Sequence, residues 1–341
     1  DVCFFRSFGG QDELLFDGDC FHLLPDGVFA AEKNEANDQI LLVDLDGAPR
    51  GAPRLTDPEL RFLEAMLVAG IRDYCRKNGF EKAVLGISGG IDSALVAALA
   101  CRALGPKNLT GLILPSKFSS SHSIEDAEIL AKNAGFEKRF VPIKMPHSTL
   151  QMMLQPFFQG IPEDITEENL QSRIRGLTVM AFANKTKALA LATGNRSEFA
   201  MGYATLYGDM CGALAPIGDL LKNEVYELAR YLNRDRPWIP ERTFSKAPSA
   251  ELKPNQTDQD TLPPYDLLDE CLRVLLEKEL EPDAALPLVR EKFPQADLAL
   301  LERVHKSIRL SEYKRRQAPP ILKISSKAFG PGRVYPITCR F

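Results

Sequence analysis

The sequence predicts an α/β fold: a doubly wound parallel sheet with helices on both faces, a helical C-terminal part and a short β-rich segment at the start. Two observations carry this prediction. From residue 83 onwards, short apolar segments typical of buried strands alternate with longer segments that repeat apolar residues at helical spacing. The 341 residues, 45% hydrophobic and 26% charged, are also enough to bury a full core.

Residues 1–48 differ in pattern from the rest of the chain. Short apolar runs at 13–16, 21–24 and 40–45 are separated by Gly-Asp and Pro-Asp-Gly turns, which predicts a few antiparallel strands. Because so few residues cannot bury a core alone, we expect them to pack on another part of the protein. Residues 49–56 are predicted to be a linker, and residues 57–341 to form the main domain.

The main domain is predicted to begin with a helix, since Asp57 offers an N-cap, Pro58 a first helical residue, and Asn78 with Gly79 an end. The predicted strands follow at 83–88, 109–114, 139–143 and 188–192. The helices between and after them are predicted at 94–104, 124–134, 168–185 and 223–232. A polar segment with several prolines, 245–264, is predicted to be a mobile loop. Three further helices are predicted at 265–279, 282–292 and 298–311.

Charge and cysteine content argue against several functions. The 42 basic and 46 acidic residues leave a net charge of -4, so we expect neither nucleic acid nor a membrane as a partner. The seven cysteines show no spacing typical of zinc or of a disulfide framework, which favours a reducing cytoplasm. The apolar stretches are too short to cross a bilayer.

The most informative segment is Ser88-Gly89-Gly90-Ile91-Asp92-Ser93, which joins a predicted strand to a predicted helix. Two glycines let the backbone approach an anion, and the amides at the helix start bind phosphate oxygens together with the helix dipole. Asp92 is a candidate ligand for Mg²⁺. No lysine follows the glycines, so the loop is not a Walker A motif. The segment therefore predicts a phosphate site of a different class.

This S-G-G-x-D-S string resembles the loop of the ATP pyrophosphatase (adenine nucleotide alpha-hydrolase-like) superfamily, whose members cleave ATP between the α and β phosphates. The resemblance implies ATP as co-substrate and Mg²⁺ as cofactor. It leaves the acceptor open, because asparagine, GMP and argininosuccinate synthetases and several tRNA-modifying enzymes share the loop.

Further strings narrow the choice of acceptor. They are E-N-L-Q-S-R-I-R-G at 168–176, A-T-G-N-R-S-E at 192–198, P-S-A-E-L at 248–252 and Y-K-R-R-Q-A-P-P at 313–320. Together with the loop they resemble the NAD synthetase family, and specifically the synthetase domain of its glutamine-dependent bacterial form, over residues 57–341. The string F-G-G-Q-D-E-L-L-F-D-G at 8–18 resembles the end of the nitrilase-like glutaminase domain of that form, which implies that residues 1–48 are its C-terminal remnant.

The resemblance implies two reaction steps. The carboxylate of deamido-NAD attacks the α phosphate of ATP and releases pyrophosphate, and ammonia then displaces AMP to give NAD. The family's Glu-Lys-Cys glutaminase machinery has no match in residues 1–48, so glutamine would need a glutaminase domain or chain besides these residues. A homo-oligomer is also implied.

Site residues follow from matching the motifs position by position. The resemblance assigns ATP to Gly86, Ile87, Ser88, Gly89, Gly90, Ile91, Asp92, Ser93, Thr193, Lys222 and Ser249. Asp92 and Glu198 would bind Mg²⁺ and form the catalytic set with Lys222. Deamido-NAD would contact Asn169, Arg173, Glu198 and Lys314. Where ammonia-only synthetases have a lysine and an aspartate, this chain has Leu206 and Ala213, so those two contacts are not expected, and Asp209 is the neighbouring candidate.

Simpler interpretations remain open for these residues. Asp92 and Glu198 are also plain helix N-terminal charges, Arg173 is also part of a solvated helix face, and Lys222, Lys314 and Ser249 are also ordinary surface or turn residues. Two other functions remain as alternatives. One is a tRNA-modifying or GMP synthetase-like ligase, although the paired cysteines or basic aromatic face of an RNA enzyme are absent. The other is a partner subunit without catalytic activity.

Overall fold

The computed structural model describes residues 2–4, 8–17, 21–23, 29–31, 59–330 and 332–338. Its first residues form antiparallel strands in two small sheets. One sheet has the order β1-β4-β5, and β2 pairs with β3 in a hairpin. The strands are β1 (Val2–Phe4), β2 (Phe8–Gln11), β3 (Leu14–Asp17), β4 (Phe21–Leu23) and β5 (Phe29–Ala31). The predicted run at 40–45, the linker 49–56, Asp57 and Pro58 lie outside the described residues.

The β2-β3 hairpin packs on the first helix, α1 (Glu59–Lys77). The Asp73 carboxylate accepts a hydrogen bond from the Gly10 amide at 3.0 Å, and Lys77 Nζ donates to the Gly10 carbonyl at 2.6 Å. Leu15 packs against the main hydrophobic core. Gly9 has φ +134°, and a Cβ there would lie 2.5 Å from Asp73 Oδ2. For residues 8–17, the expectation that they pack on another part of the protein is confirmed.

The central sheet has four parallel strands in the order β8-β7-β6-β9. They are β6 (Ala83–Gly86), β7 (Leu109–Ile113), β8 (Glu137–Phe140) and β9 (Leu189–Ala190). The chain runs outward from β6 to β8 and then crosses to the other side of β6. The carboxyl end of β6 is therefore the point where the strand order reverses, which is where doubly wound folds bind ligands.

Helices cover both faces of this sheet. On one face, α1 packs with α2 (Ile91–Leu104), α3 (Ser121–Ala134) and a later helix over Leu85, Leu109 and Ile113. On the other face, α4 (Lys144–Leu154) and α5 (Ile165–Thr186) cover Val84 and Leu112. The predicted doubly wound α/β architecture is confirmed.

The C-terminal part is helical, as predicted, and has its own core. Its helices pack around Phe199, Leu268, Leu272 and Leu301. The elements after β9 are α6 (Arg196–Met201), α7 (Lys222–Leu232), α8 (Glu241–Ser245), α9 (Tyr265–Leu272), α10 (Pro282–Lys292), α11 (Leu298–Leu310) and α12 (Glu312–Arg315). Of these, α7 is the helix that completes the first face of the sheet. In the described part of the chain no helix is long and apolar enough to cross a membrane.

Some boundaries differ from the predictions for physical reasons. The edge strand β8 covers 137–140 instead of 139–143, because its four residues are exposed and their polar pattern hides the strand. Helix α2 begins at Ile91, three residues earlier than predicted, so Asp92 and Ser93 lie in its first turn. The predicted helix 265–279 changes at Arg273 into a π-helical turn, Arg273–Glu277. The predicted loop 245–264 contains a 3₁₀ turn, Asp258–Asp260.

Candidate active site

The loop after β6 is held in one shape by glycine and serine. Gly89 has φ +77°, a left-handed conformation that favours glycine, and a Cβ there would overlap the backbone carbonyl of Ser123. Ser93 Oγ accepts from the Ser88 amide at 3.2 Å and donates to the Gly90 carbonyl at 3.1 Å. No side chain caps the start of α2, whose N-cap is Gly90. The start of α2 therefore has amides that no side chain caps, the kind of helix N-terminus that binds anions.

Three charged side chains and one amide meet beside this loop. Lys222 Nζ lies 2.6 Å from Asp92 Oδ2 and 3.3 Å from Glu198 Oε1. The Asn195 amide Nδ2 donates to Asp92 Oδ1 at 2.8 Å. These residues come from α2, α6 and α7 and are far apart in the sequence. The structure thus brings together the three residues predicted as the catalytic set.

Burial gives this cluster unusual electrostatics. The Lys222 side chain is only 2% exposed, whereas Asp92 and Glu198 are each 18% exposed. Burial alone would lower the pKa of Lys222, but the Asp92 and Glu198 carboxylates outweigh it and raise that pKa. Burial raises the pKa of Glu198, and the negative charges of Asp92 and Asp258 add to the effect against the opposing charge of Lys222. Lys222 is therefore held as a cation between two carboxylates.

Local sequence explains the position of Glu198. Asn195 is the N-cap of α6, and its Oδ1 accepts from the Glu198 amide at 3.0 Å, while Glu198 Oε2 accepts from the Asn195 amide at 3.3 Å. This is a capping box, which fixes both side chains at the helix start. Glu198 and Asp92 are helix N-terminal charges, as the simpler interpretation held, and they also face one site.

A cavity of about 280 Å³ opens over the loop and the charged cluster. Every residue predicted to bind ATP lines it: Gly86, Ile87, Ser88, Gly89, Gly90, Ile91, Asp92, Ser93, Thr193, Lys222 and Ser249. Glu198 lines it as well. Apolar side chains such as Leu112, Leu114 and Val179 complete the lining. The cavity therefore combines the uncapped start of α2 and a charged cluster with an apolar interior.

The segment 246–252 lines this cavity and is held by hydrogen bonds near both of its ends. Glu251, with φ +49°, accepts hydrogen bonds from Ser120 Oγ at 2.9 Å, Ser123 Oγ at 2.8 Å and Lys246 Nζ at 2.7 Å. Burial would raise the pKa of Glu251, but these donors lower it. Gln171 Nε2 donates to the Leu252 carbonyl at 2.8 Å. Part of the loop predicted to be mobile is therefore fixed by specific hydrogen bonds in this structure.

Three predicted substrate residues lie outside the cavity lining and surround the segment 202–206. Asn169 Oδ1 accepts from Thr205 Oγ1 at 2.8 Å, and Arg173 Nε donates to the Leu206 carbonyl at 3.2 Å. Lys314 Nζ donates to the carbonyls of Gly202 at 2.7 Å and Ala204 at 2.8 Å. The predicted residues thus form two groups. One lines the cavity, and the other contacts the segment 202–206, which forms the rim of the cavity through Tyr203 and Ala204.

Asp209 connects the two groups. It lines the cavity, is accessible to solvent inside it, and accepts from the Thr205 amide at 2.8 Å. Desolvation inside the cavity raises the pKa of Asp209 to about 6, against the hydrogen bonds from Thr205 and Ser172. Ala213, the other position without a matched contact, donates its amide to the Ala190 carbonyl and belongs to the sheet edge. Asp209 is therefore a carboxylate that faces the cavity close in sequence to Leu206, one of the two positions at which no substrate contact is expected.

The motifs missed Asp258, a further carboxylate of the cavity lining. It is 3% exposed, and its Oδ2 accepts from the Tyr265 hydroxyl at 2.8 Å. Its other oxygen, Oδ1, has no hydrogen-bond partner among the described residues. Burial raises the pKa of Asp258. Asp258 stands in a polar loop with no local pattern, so only the folded structure reveals it.

Comparisons with known proteins identify the family of this chain. A model of the family described as NAD synthase matches residues 63–318. The glutamine-dependent NAD(+) synthetase of Synechocystis sp. is 45% identical over 348 residues, which covers 100% of this chain and 61% of that relative. The glutamine-dependent NAD+ synthetase of Acinetobacter baumannii, in complex with ADP, is similar with a TM-score of 0.65 and 34% identity, covering 98% of this chain and 62% of that one.

A shorter structural relative matches over nearly its whole length. The NH3-dependent NAD synthetase of Campylobacter jejuni, in complex with the nitrate ion, has a TM-score of 0.60 and 25% identity, and the match covers 75% of this chain and 96% of that one. This chain spans about 61% of the Synechocystis relative. The family model, in contrast, covers well over half of this chain, from before the phosphate loop to beyond Lys314. The chain belongs to the NAD synthase family.

Proposed function

We propose that this chain catalyses the ATP-dependent amidation of deamido-NAD to NAD, with release of AMP and pyrophosphate. The observation that carries the proposal is the meeting of Asp92, Glu198 and Lys222 beside an uncapped helix N-terminus in one cavity. A carboxylate is a poor acylating agent, so the reaction needs a leaving group, and transfer of AMP from ATP supplies one. Charge that grows on the phosphate oxygens is stabilised by fixed amides and a buried cation.

Each part of the cavity has a task in this proposal. The amides of residues 89–93 bind the phosphates of ATP, and the Lys222 ammonium neutralises the oxygens of the departing pyrophosphate. Thr193 and Ser249, which both line the cavity, contact the nucleotide. Asn169, Arg173 and Lys314 are assigned to deamido-NAD at the rim, where they contact the 202–206 segment. Asp209 faces the same space and replaces the contacts that Leu206 and Ala213 do not provide.

The residues present fit a Mg²⁺ ion bound together with the phosphates. Among the described residues no group of three or more His, Cys, Asp and Glu forms a metal cage. Asp92 and Glu198 nevertheless supply carboxylate oxygens at the cavity surface, and Mg²⁺ is commonly held by one or two carboxylates plus substrate phosphates. The ion would neutralise charge on the phosphate oxygens. We therefore assign Asp92 and Glu198 as its protein ligands.

Ammonia is the proposed nitrogen donor for the chain as given. Residues 8–18 resemble the end of a glutaminase domain, and this chain spans 61% of a glutamine-dependent relative. Glutamine would then serve only through a glutaminase domain or chain besides these residues. A reducing cytoplasm is the proposed location, and it agrees with the free thiols of Cys75, Cys101, Cys211 and Cys271.

We also propose a homo-oligomer in which a second copy covers the outer side of α4 and α5. Of the residues in α4, only His147 is buried. Large apolar side chains are exposed along both helices and the turn between them, which is unusual for a free surface. They are Met145, Met152, Met153, Phe157, Ile161, Ile165 and Leu177. The molar mass in solution, measured by light scattering, tests this part of the proposal, and a monomer at micromolar concentration contradicts it.

One assay separates the proposed reaction from its alternatives. The purified chain is incubated with ATP, Mg²⁺ and ammonium, and with deamido-NAD, nicotinate mononucleotide, XMP or tRNA as acceptor. NAD and AMP are expected in equal amounts with deamido-NAD and much less product with the others. Absence of NAD at high ammonium contradicts the proposal, and glutamine used as efficiently as ammonium contradicts the proposed donor. An Asp92→Asn variant that releases AMP at the wild-type rate would favour the non-catalytic alternative.

A further inference from the structure

One buried aspartate of the C-terminal helical part is hydrogen-bonded to the segments that carry both Glu198 and Lys222. Asp269 lies on α9 and is 2% exposed. Its Oδ1 accepts from Ser197 Oγ at 2.5 Å, and its Oδ2 accepts from the Asn223 amide at 2.8 Å. Ser197 directly precedes Glu198, and Asn223 directly follows Lys222. Asp269 therefore holds the residue next to each of these two site residues in the sequence.

The Ser197 hydroxyl completes the connection. It donates to Asp269 and at the same time accepts from the Lys222 amide at 3.0 Å. The N-cap residue of α7 is Leu221, whose side chain makes no capping hydrogen bond. The first two amides of α7 are therefore satisfied by Ser197 and Asp269, from α6 and α9. A cap of this kind fixes the direction and position of the helix start, and Lys222 is the first residue of that helix.

We propose that Asp269 is a positioning residue of the active site, which holds Glu198 and Lys222 in register through its hydrogen bonds to Ser197 and to the start of α7. It does not touch the reacting atoms. The inference rests on the proposed amidation, because it concerns the placement of the cation and the carboxylate used there. It also gives the C-terminal helices a role in catalysis, since α9 belongs to their core.

The chemistry of the aspartate explains why this residue type is needed. A carboxylate accepts at both oxygens, so it satisfies the Ser197 hydroxyl and the Asn223 amide together. The amide of an Asp269→Asn variant has nearly the same shape but only one acceptor oxygen, so one of the two donors loses its partner. Ser197→Ala removes the hydroxyl that lies between Asp269 and the Lys222 amide. Both variants change the cap without changing any residue of the cavity lining.

Steady-state kinetics of the full chain test the proposal. We expect Asp269→Asn and Ser197→Ala to lower kcat for NAD formation about 10- to 100-fold, as shifts of about 1 Å in catalytic groups do, with KM for ATP and deamido-NAD changed less than threefold. The double variant should lose no more activity than the less active of the two single variants. Asp73→Asn is the matched control, since it alters a buried carboxylate that accepts a backbone amide far from the site. It should lower the melting temperature and leave kcat within twofold.

The outcomes separate this inference from the proposed function. If the wild-type chain makes no NAD, the function itself is wrong. If the wild type is active and folded Asp269→Asn or Ser197→Ala keeps kcat within twofold, the positioning role is wrong. Equal losses of kcat in Asp73→Asn and Asp269→Asn would also overturn it, because general destabilisation would then account for both. If Asp269→Asn does not fold, Ser197→Ala decides by itself.

Discussion

Replacing Gly89 with alanine tests whether the phosphate loop depends on a backbone that only glycine adopts. Gly89 has φ +77°, and a Cβ built there would lie 2.9 Å from both Cα and the carbonyl carbon of Ser123 and closer still to its carbonyl oxygen. All three atoms belong to the backbone of α3, so no side chain can rotate away. The substitution must therefore move either the loop or the start of α3.

The size of the effect follows from two separate contributions. A left-handed conformation costs a residue with a Cβ about 1–2 kcal/mol. Forcing an extra carbon into a packed region costs about 1–3 kcal/mol more. Gly89→Ala should therefore lower the free energy of unfolding by about 2–5 kcal/mol. Gly79→Ala is the matched control, since Gly79 has φ +74° and nothing lies within 4 Å of its Cβ position, so only the first contribution applies.

Urea denaturation of both variants measures these free energies, and calorimetric titration with Mg-ATP measures binding. We expect Gly89→Ala to be about 1–3 kcal/mol less stable than Gly79→Ala, the range of the steric contribution alone. We also expect its Kd for ATP to rise at least tenfold, while Gly79→Ala binds ATP as the wild type does. Equal stability of the two variants, or unchanged ATP affinity in Gly89→Ala, would refute the described geometry of the loop.

Two further predictions concern charged groups of the site. Lys222→Met leaves Asp92 and Glu198 without their shared cation, so kcat/KM for NAD formation should fall at least about 100-fold, and a loss below fivefold would contradict the role of Lys222. Burial raises the pKa of Asp269 from 3.8 to about 6, so folding favours its protonated form. The stability gained from this protonated form is fully present below pH 4 and is lost as the pH rises through 6. The stability of the wild type relative to Asp269→Asn should fall by up to about 3 kcal/mol across that range in urea denaturation, and a constant difference would argue against the shift.

The fold was predictable where the core leaves a local pattern. The interior strands and the helices against them bury continuous apolar segments, so β6, β7 and α2 appear in the sequence as such. The edge strand β8 is exposed, and it begins two residues and ends three residues before the predicted bounds. The sequence pattern did not indicate α4, because almost all of this helix faces outward. Helix α6 was also missed, since six residues are too short for a periodic pattern, although the capping box of Asn195 and Glu198 marks its start.

The site was predictable where it is local or where a known family supplies the match. The predicted phosphate loop, residues 88–93, is one continuous string. Its position between a strand and a helix could therefore be read from the sequence. Lys222 lies 130 residues from Asp92 in the sequence, and only the family resemblance predicted that both belong to one site. Asp258 and Asp269 lie in segments without a motif, and their importance comes from burial and from long-range hydrogen bonds. Such contacts leave no signal in a local pattern of residue types.

The transfer of an oxygen atom from substrate to AMP tests the central claim most directly. Deamido-NAD labelled with ¹⁸O in both oxygens of its nicotinate carboxylate is converted with ATP, Mg²⁺ and ammonium, and the AMP is analysed by mass spectrometry. If the carboxylate attacks the α phosphate and ammonia then breaks the carbon–oxygen bond, each AMP carries one ¹⁸O and the amide of NAD keeps the other. AMP without label, or ADP and phosphate in its place, would contradict the account.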